Sequence, residues 1–266
     1  MRTSGGLAPG PALFAALSTI LLVVQHVDRE GPDLIGSLAR DQGMAIQTIR
    51  PDQGDHLPNP DDCPNTIALV LGGPMGVNER YQSELNWLQS ELNWLTTWHQ
   101  QKKPVIGICL GAQLLALAAG GSVETLQVGD PPQPLREVGI GAIHWVINPN
   151  EEPWLQGLHA SELVLHWHGD RIRLPANATL LGSSLHCAEQ VFRIGHHAIG
   201  LQCHWEVTGP SLEQWITEDY DYVVGAMGPD GPSALRQQWD ATGAAIERRG
   251  RIALAQILSQ LSDQIP

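Results

Sequence analysis

The sequence predicts an α/β fold: a doubly wound, mainly parallel sheet with helices on both faces, continued by antiparallel strands. Three observations predict it. Short β-branched runs alternate with helical patterns through the first half of the chain. From Val138 onward the pattern changes to short strands separated by turns. At Cys109 a buried strand runs straight into a helix, with a glycine two residues to either side.

The elements follow in order. Residues 19–25 read as a buried strand and 32–43 as a helix stopped by Gly43. Residues 45–49 and 66–71 are the second and third strands, and 81–101 a long helix. Residues 104–108 form a fourth strand, followed at once by a helix over 110–119. Further strands are expected at 141–147, 163–167, 179–184, 190–193 and 198–203, and a final helix over 233–261. No linker is long or polar enough to divide the chain, so residues 19–266 are read as a single domain. Residues 1–18 are read as a flexible leader. Their apolar run continues to Val24 and meets no clear cleavage site, which argues against a signal peptide.

Composition narrows the function classes. The chain carries 15 Lys and Arg against 28 Asp and Glu, a formal net charge of −13. Nucleic acid and anionic membrane surfaces both demand a basic footprint, and neither is expected as a partner. There is no uninterrupted apolar span of about 20 residues. The cysteines Cys63, Cys109, Cys187 and Cys203 show no CxxC pairing, so a reducing, cytoplasmic compartment is the expectation.

One heptad occurs twice: QSELNWL spans 82–88 and 89–95. On a helix, Leu85, Leu88, Leu92 and Leu95 form one stripe and Trp87, Trp94 and Trp98 a second. The favoured reading is a wide apolar face packed inside the fold; the other is a tryptophan ridge for a partner.

The chemistry points to Cys109. In Gly107-Ile-Cys109-Leu-Gly111-Ala-Gln113 the polar residue sits at the strand-to-helix junction, with the logic of a nucleophile elbow. The glycines remove side chains where strand and helix must approach. The amides and dipole at the helix N-terminus favour a thiolate, and the Leu110 amide is placed to meet an oxyanion.

This run resembles the nucleophile motif GxCxGxQ of the class I glutamine amidotransferases, most closely the glutaminase domain of guanosine-monophosphate synthetase and its stand-alone homologues. Two more motifs agree in order. Gly72-Gly73-Pro74-Met75-Gly76 is similar to the family's oxyanion loop, and Gly200-Leu-Gln-Cys-His204-Trp-Glu206 to its GxQxHPE segment. The similarity runs from about Thr19 to Val207. It implies a flavodoxin-like doubly wound mixed sheet. It also implies hydrolysis of the γ-amide of glutamine or a related γ-glutamyl compound, without a cofactor.

The resemblance and the chemistry together assign roles. Cys109 is the expected nucleophile, His204 the general base and then acid, and Glu206 the group that orients the imidazole. Gly73 and Leu110 are the expected oxyanion donors. The resemblance implies that Gln113 holds the amino-acid end of the substrate, and that His168 and Asp170 line its pocket. Trp205 departs from the family proline and is expected to free that turn and set a large ring beside the site.

His166-Trp-His168-Gly-Asp170 also reads as half of a dinuclear zinc motif, but Arg171 stands where the next histidine belongs. No metal is expected. The stretch after Glu206 reads as helix and turns without a Gly-rich phosphate loop, so any ATP-using synthetase is expected on another chain. A stand-alone γ-glutamyl hydrolase is the second enzymatic reading, and a non-catalytic scaffold would have lost a reactive residue that is present here. The tryptophan stripe and Trp205 are the candidate contacts for a partner.

Overall fold

The structure is a computed structural model that describes residues 19–265; the leader lies outside them. The first half lays down β1 (Ile20–Val24), α1 (Asp33–Asp41), β2 (Ala45–Ile49), β3 (Thr66–Val70), α2 (Asn86–Gln100), β4 (Val105–Ile108) and α3 (Leu110–Ala118). The second half adds β5 (Ser122–Thr125), β6 (Gln127–Val128), β7 (Gln133–Pro134), β8 (Glu137–Trp145), β9 (Ser161–His168), β10 (Asp170–Arg173), β11 (Ala178–Ser183), β12 (Val191–Ile194) and β13 (Ala198–Leu201). Helices α4 (Gly209–Glu218), α5 (Tyr220–Met227) and α6 (Gly231–Ser262) close the chain.

Nine strands form one sheet in the order β2-β1-β3-β4-β13-β12-β11-β8-β9. The first five are parallel and the rest antiparallel, the mixed sheet expected from the change of pattern at Val138. The central strands β3, β4 and β13 are buried throughout, as strands covered on both faces must be. One face packs on α1 and α6 through Leu34, Ile35, Leu254 and Leu258. The other packs on α2 and α3 through Leu88, Leu95, Leu114 and Leu115. No helix of the described residues is long and apolar enough to cross a membrane.

The helix expected over 81–101 begins later. Two 3₁₀ turns, Val77–Tyr81 and Ser83–Leu85, come first, and the α-helix starts at Asn86, within the first heptad. The tryptophan ridge is internal. Trp94 and Trp98 are buried and donate to the carbonyls of Pro58 and Pro104 at 2.8 and 3.0 Å, so they are packing residues and not a docking surface. Trp205 is likewise buried, 5.8 Å from the ring of Trp145 and beneath α6. It is absent from the lining of the cavity described below, which corrects both the ring expected beside the site and the expected partner contact.

Candidate active site

Strand order reverses between β1 and β3, and the loops leaving the carboxyl ends of β1, β3 and β4 meet there, where open α/β sheets form their crevices. The turn at Cys109 is tight. Its backbone has φ 49° and ψ −107°, a left-handed conformation that a residue with a side chain adopts only under constraint. The constraint is visible. The Cys109 amide donates to the Leu201 carbonyl at 2.7 Å and its carbonyl accepts from Gln113 at 3.0 Å. A Cβ at Gly107 would lie 2.5 Å from the Gly111 carbonyl oxygen, and one at Gly111 only 2.0 Å from that of Val70. Neither position has room for a side chain, so strand and helix can close on the cysteine only with glycine at both.

The Cys109 thiol is nearly buried, with Sγ 3.9 Å from the Trp167 carbonyl and 3.6 Å from Gln202 Nε2. Gln113 donates to Gln202 at 3.1 Å, so the two amides form a chain that ends on the sulfur. Leu110 opens α3, where an amide has no intrahelical acceptor. The Gly73 amide has no hydrogen-bond partner among the described residues.

His204 lies beyond the end of β13 and is pinned by its backbone to β9, with hydrogen bonds of 2.9 and 3.2 Å to Leu165. Its Nδ1 is 2.7 Å from Glu206 Oε1, and the Trp215 ring meets the imidazole edge-on at 4.9 Å. Nε2 has no hydrogen-bond partner among the described residues. Burial disfavours the imidazolium, but the Glu206 carboxylate and the neighbouring Cys109 outweigh it and hold the histidine pKa well above its ordinary value. A buried imidazole aligned by a carboxylate, beside a thiol at a helix N-terminus, can take and return a proton.

Cys109, His204, Gly73, Leu110, Gln113, His168 and Asp170 all line one cavity of about 400 Å³. Glu206 does not reach it and stands behind His204. The His168 ring is engaged by protein on both sides: Nδ1 is 2.8 Å from the Asp170 carbonyl, and Nε2 is 3.0 Å from Glu137 and 3.1 Å from Gln190. The HxHxD residues do not converge as a ligand set. Glu137, His166 and His168 do lie together, with ligand atoms within 4.8 Å, while Asp170 contributes its backbone carbonyl. Glu137 is also bonded by Ser184 and Gln190, at 2.7 and 2.8 Å.

Arg29, Glu30, Arg136, Asp219 and Tyr222 line the same cavity and were not among the sequence candidates. Arg29 pairs with Asp219 at 2.7 Å, and Arg136 lies 4.7 Å above the Tyr222 ring. Burial raises the Glu30 carboxyl pKa. The available signal for Arg29 and Glu30 was their place, as charged residues in the loop after β1 at the strand-order reversal. Arg136, Asp219 and Tyr222 come from distant segments brought in by the antiparallel half and by α5.

Comparison with known proteins identifies the family. The family model described as Glutamine amidotransferase class-I matches residues 39–220. The glutamine amidotransferase-like protein YfeJ of Salmonella typhimurium is 29% identical over 210 residues, covering 77% of this chain and 83% of that protein. A GMP synthase [glutamine-hydrolyzing] of Thermomicrobium roseum is 34% identical over 163 residues, which span 60% of this chain but only 27% of the synthase. Gamma-glutamyl peptidase 3 of Arabidopsis thaliana is 33% identical over 130 residues, covering 46% of this chain and 49% of the peptidase. Among solved structures, a glutamine amidotransferase of Thermotoga maritima superposes with a TM-score of 0.79 at 24% identity, covering 93% of this chain and all of that one. With a family match over most of its length, the chain belongs to the class I glutamine amidotransferases and is an enzyme of that family.

Proposed function

We propose that the protein cleaves a γ-glutamyl amide, with glutamine as the reference substrate, through a thioester on Cys109, and that it delivers the ammonia to a separate synthetase. The observation that carries this reading is the buried His204–Glu206 pair beside a thiol at a strained elbow, on the wall of a cavity. His204 takes the Cys109 proton, and the sulfur attacks the γ-carbonyl carbon. The amides of Gly73 and Leu110 hold the oxyanion. His204 then protonates the leaving nitrogen, the C–N bond breaks, and ammonia departs from the γ-glutamyl thioester. Water attacks the thioester, its proton passes to His204, and glutamate leaves with the thiol restored.

The matched GMP synthases support the ammonia-delivering branch, because this chain corresponds to about a quarter of their length. The rest of the reaction would then belong to another polypeptide. A second reading, a stand-alone γ-glutamyl hydrolase, is favoured by the cavity, whose volume suits a ligand larger than one amino acid, and by the match to a γ-glutamyl peptidase. Assaying ammonia and glutamate release from glutamine and from a panel of γ-glutamyl peptides tests both. Brisk turnover of a peptide with glutamine a poor substrate selects the second, and no turnover of any γ-glutamyl compound overturns both.

A further inference from the structure

A second buried histidine–glutamate pair stands behind the Gly72-Gly73 loop. His26 lies two residues beyond the end of β1, and its ring is fully enclosed. Nδ1 lies 2.8 Å from the Gly72 carbonyl oxygen. Nε2 lies 3.0 and 3.1 Å from the two carboxylate oxygens of Glu91 on α2. Trp87 of the same helix covers the ring at 5.5 Å between centroids and 22° between planes. Both ring nitrogens therefore face oxygen acceptors. A neutral imidazole has one N–H and satisfies one of them; the imidazolium satisfies both. Burial disfavours that charge, but Glu91, the Gly72 carbonyl and Glu30 together raise the histidine above its ordinary range.

The Gly72 carbonyl and the Gly73 amide are two ends of one peptide unit. That unit is trans, so its N–H points opposite to its C=O. A donor that holds the carbonyl from one side aims the amide to the other. The loop is wedged as well. A Cβ at Gly73 would stand 3.2 Å from both His26 Cβ and Leu110 Cδ2, and one at Gly72 would stand 2.2 Å from Glu30 Oε2.

We propose that His26, held by Glu91, is a positioning residue that clamps the Gly72–Gly73 peptide plane, so that the Gly73 amide faces the oxyanion formed at Cys109. A donor on the carbonyl also polarises the peptide and makes the amide at its other end a stronger donor. His26 touches neither substrate nor sulfur and acts through the loop alone. The inference rests on the reading of Cys109 as nucleophile and Gly73 as oxyanion donor.

Two readouts separate this role from a merely structural one. The first is kcat and KM for γ-glutamyl amide hydrolysis. The second is the rate of Cys109 alkylation by iodoacetamide, a displacement at saturated carbon that needs no oxyanion hole. His26→Leu is expected to lower kcat about 10- to 100-fold, with KM and the alkylation rate within about twofold of wild type. His26→Asn, which can still donate to the Gly72 carbonyl, should recover most of the lost kcat. Should His26→Leu fail to fold, His26→Asn and Glu91→Gln decide alone: near-normal kcat in the first and a loss of about 3- to 10-fold in the second, with alkylation unchanged in both. An undiminished kcat in His26→Leu or Glu91→Gln, or KM and alkylation falling in step with kcat, overturns the clamp. A wild-type protein that alkylates at Cys109 yet releases nothing from any γ-glutamyl amide sinks the underlying reading, and the clamp with it.

Discussion

The His204 imidazole and the Glu206 carboxylate meet at 2.7 Å, both buried, although Trp205 between them points away into the core against Trp145. The chain bends at Trp205 and Glu206, and the bulky middle residue fills the core without entering the cavity. If the pair serves Cys109 as one unit, Cys109→Ala and His204→Ala should each lower kcat by on the order of 10⁵-fold, and the double variant little further. Glu206→Gln should cost at least about tenfold less, because it loses only the alignment of the base. Independent, multiplicative losses in steady-state kinetics would show that the two do not cooperate.

Only Cys109 should react with a glutamine analogue carrying an electrophile at the γ position. Burial pushes the Cys187 thiol up to about 12 and the Cys203 thiol well above its ordinary value, and it also raises half-buried Cys63. Thiols held protonated in this way are poor nucleophiles. Peptide mapping by mass spectrometry should place the adduct on Cys109; label spread over all four would refute the assignment.

Gly111→Ala should be severely destabilising. Its Cβ would stand 2.0 Å from the Val70 carbonyl oxygen, a contact relieved only by moving strand against helix. A loss of about 3 kcal/mol or more is expected in urea unfolding. An alanine variant within 1 kcal/mol or so of wild type would mean that the elbow has slack the structure does not show.

Asp33 offers a gain in stability. Burial raises its carboxyl from 3.8 to about 6, against the hydrogen bond from Ser211 that lowers it. The folded state therefore binds more protons than the unfolded one between those values. Stability falls as pH rises through that window and stays lower above it. A displacement of that size is worth about 3 kcal/mol in a dry site, and nearer 1 kcal/mol for a carboxyl with one side towards solvent. Asp33→Asn should raise stability at pH 7 by about 1 kcal/mol, and asparagine tolerates the φ of 33°. The gain should vanish near pH 3, and an equal gain at both pH values would contradict the electrostatic cause.

No metal should be needed. Burial lowers the His166 pKa to about 4, and neither ring nitrogen has a partner among the described residues. His166→Leu should therefore keep most activity and gain about 1 kcal/mol, since it removes two unsatisfied buried polar atoms. Activity should survive dialysis against a chelator. Stoichiometric zinc in the purified protein, with turnover lost on chelation, would reassign Glu137, His166 and His168 as ligands.

Much of the frame was legible because its signals are local. The βα alternation, the glycines flanking Cys109 and the order of the three motifs all lie within short windows. What was not legible depends on packing. The two QSELNWL heptads are identical, yet Glu84 of the first lies on an exposed 3₁₀ turn, while Glu91 of the second is fully buried against His26. Nothing in the heptad distinguishes the copies; its distance from β1 does. Arg136, Asp219 and Tyr222 were hidden for the same reason. Trp205 was misjudged because its neighbours suggested the cavity, while its burial beneath α6 is set by residues far along the chain.

The place of β13 has a consequence for how the protein is made. It inserts between β4 and β12, so β4 is an open edge until residues 198–201 arrive. A chain emerging from the ribosome presents the Cys109 thiol at the end of a strand with one unpaired edge well before residues 198–206 follow. The strand that seals this edge leads directly into the segment carrying His204 and Glu206. Protection of that edge and arrival of the His204–Glu206 pair thus come in a single docking event, rich in contacts between distant parts of the chain. A folding intermediate that lacks β13 would be sticky and would lack the His204–Glu206 pair beside Cys109.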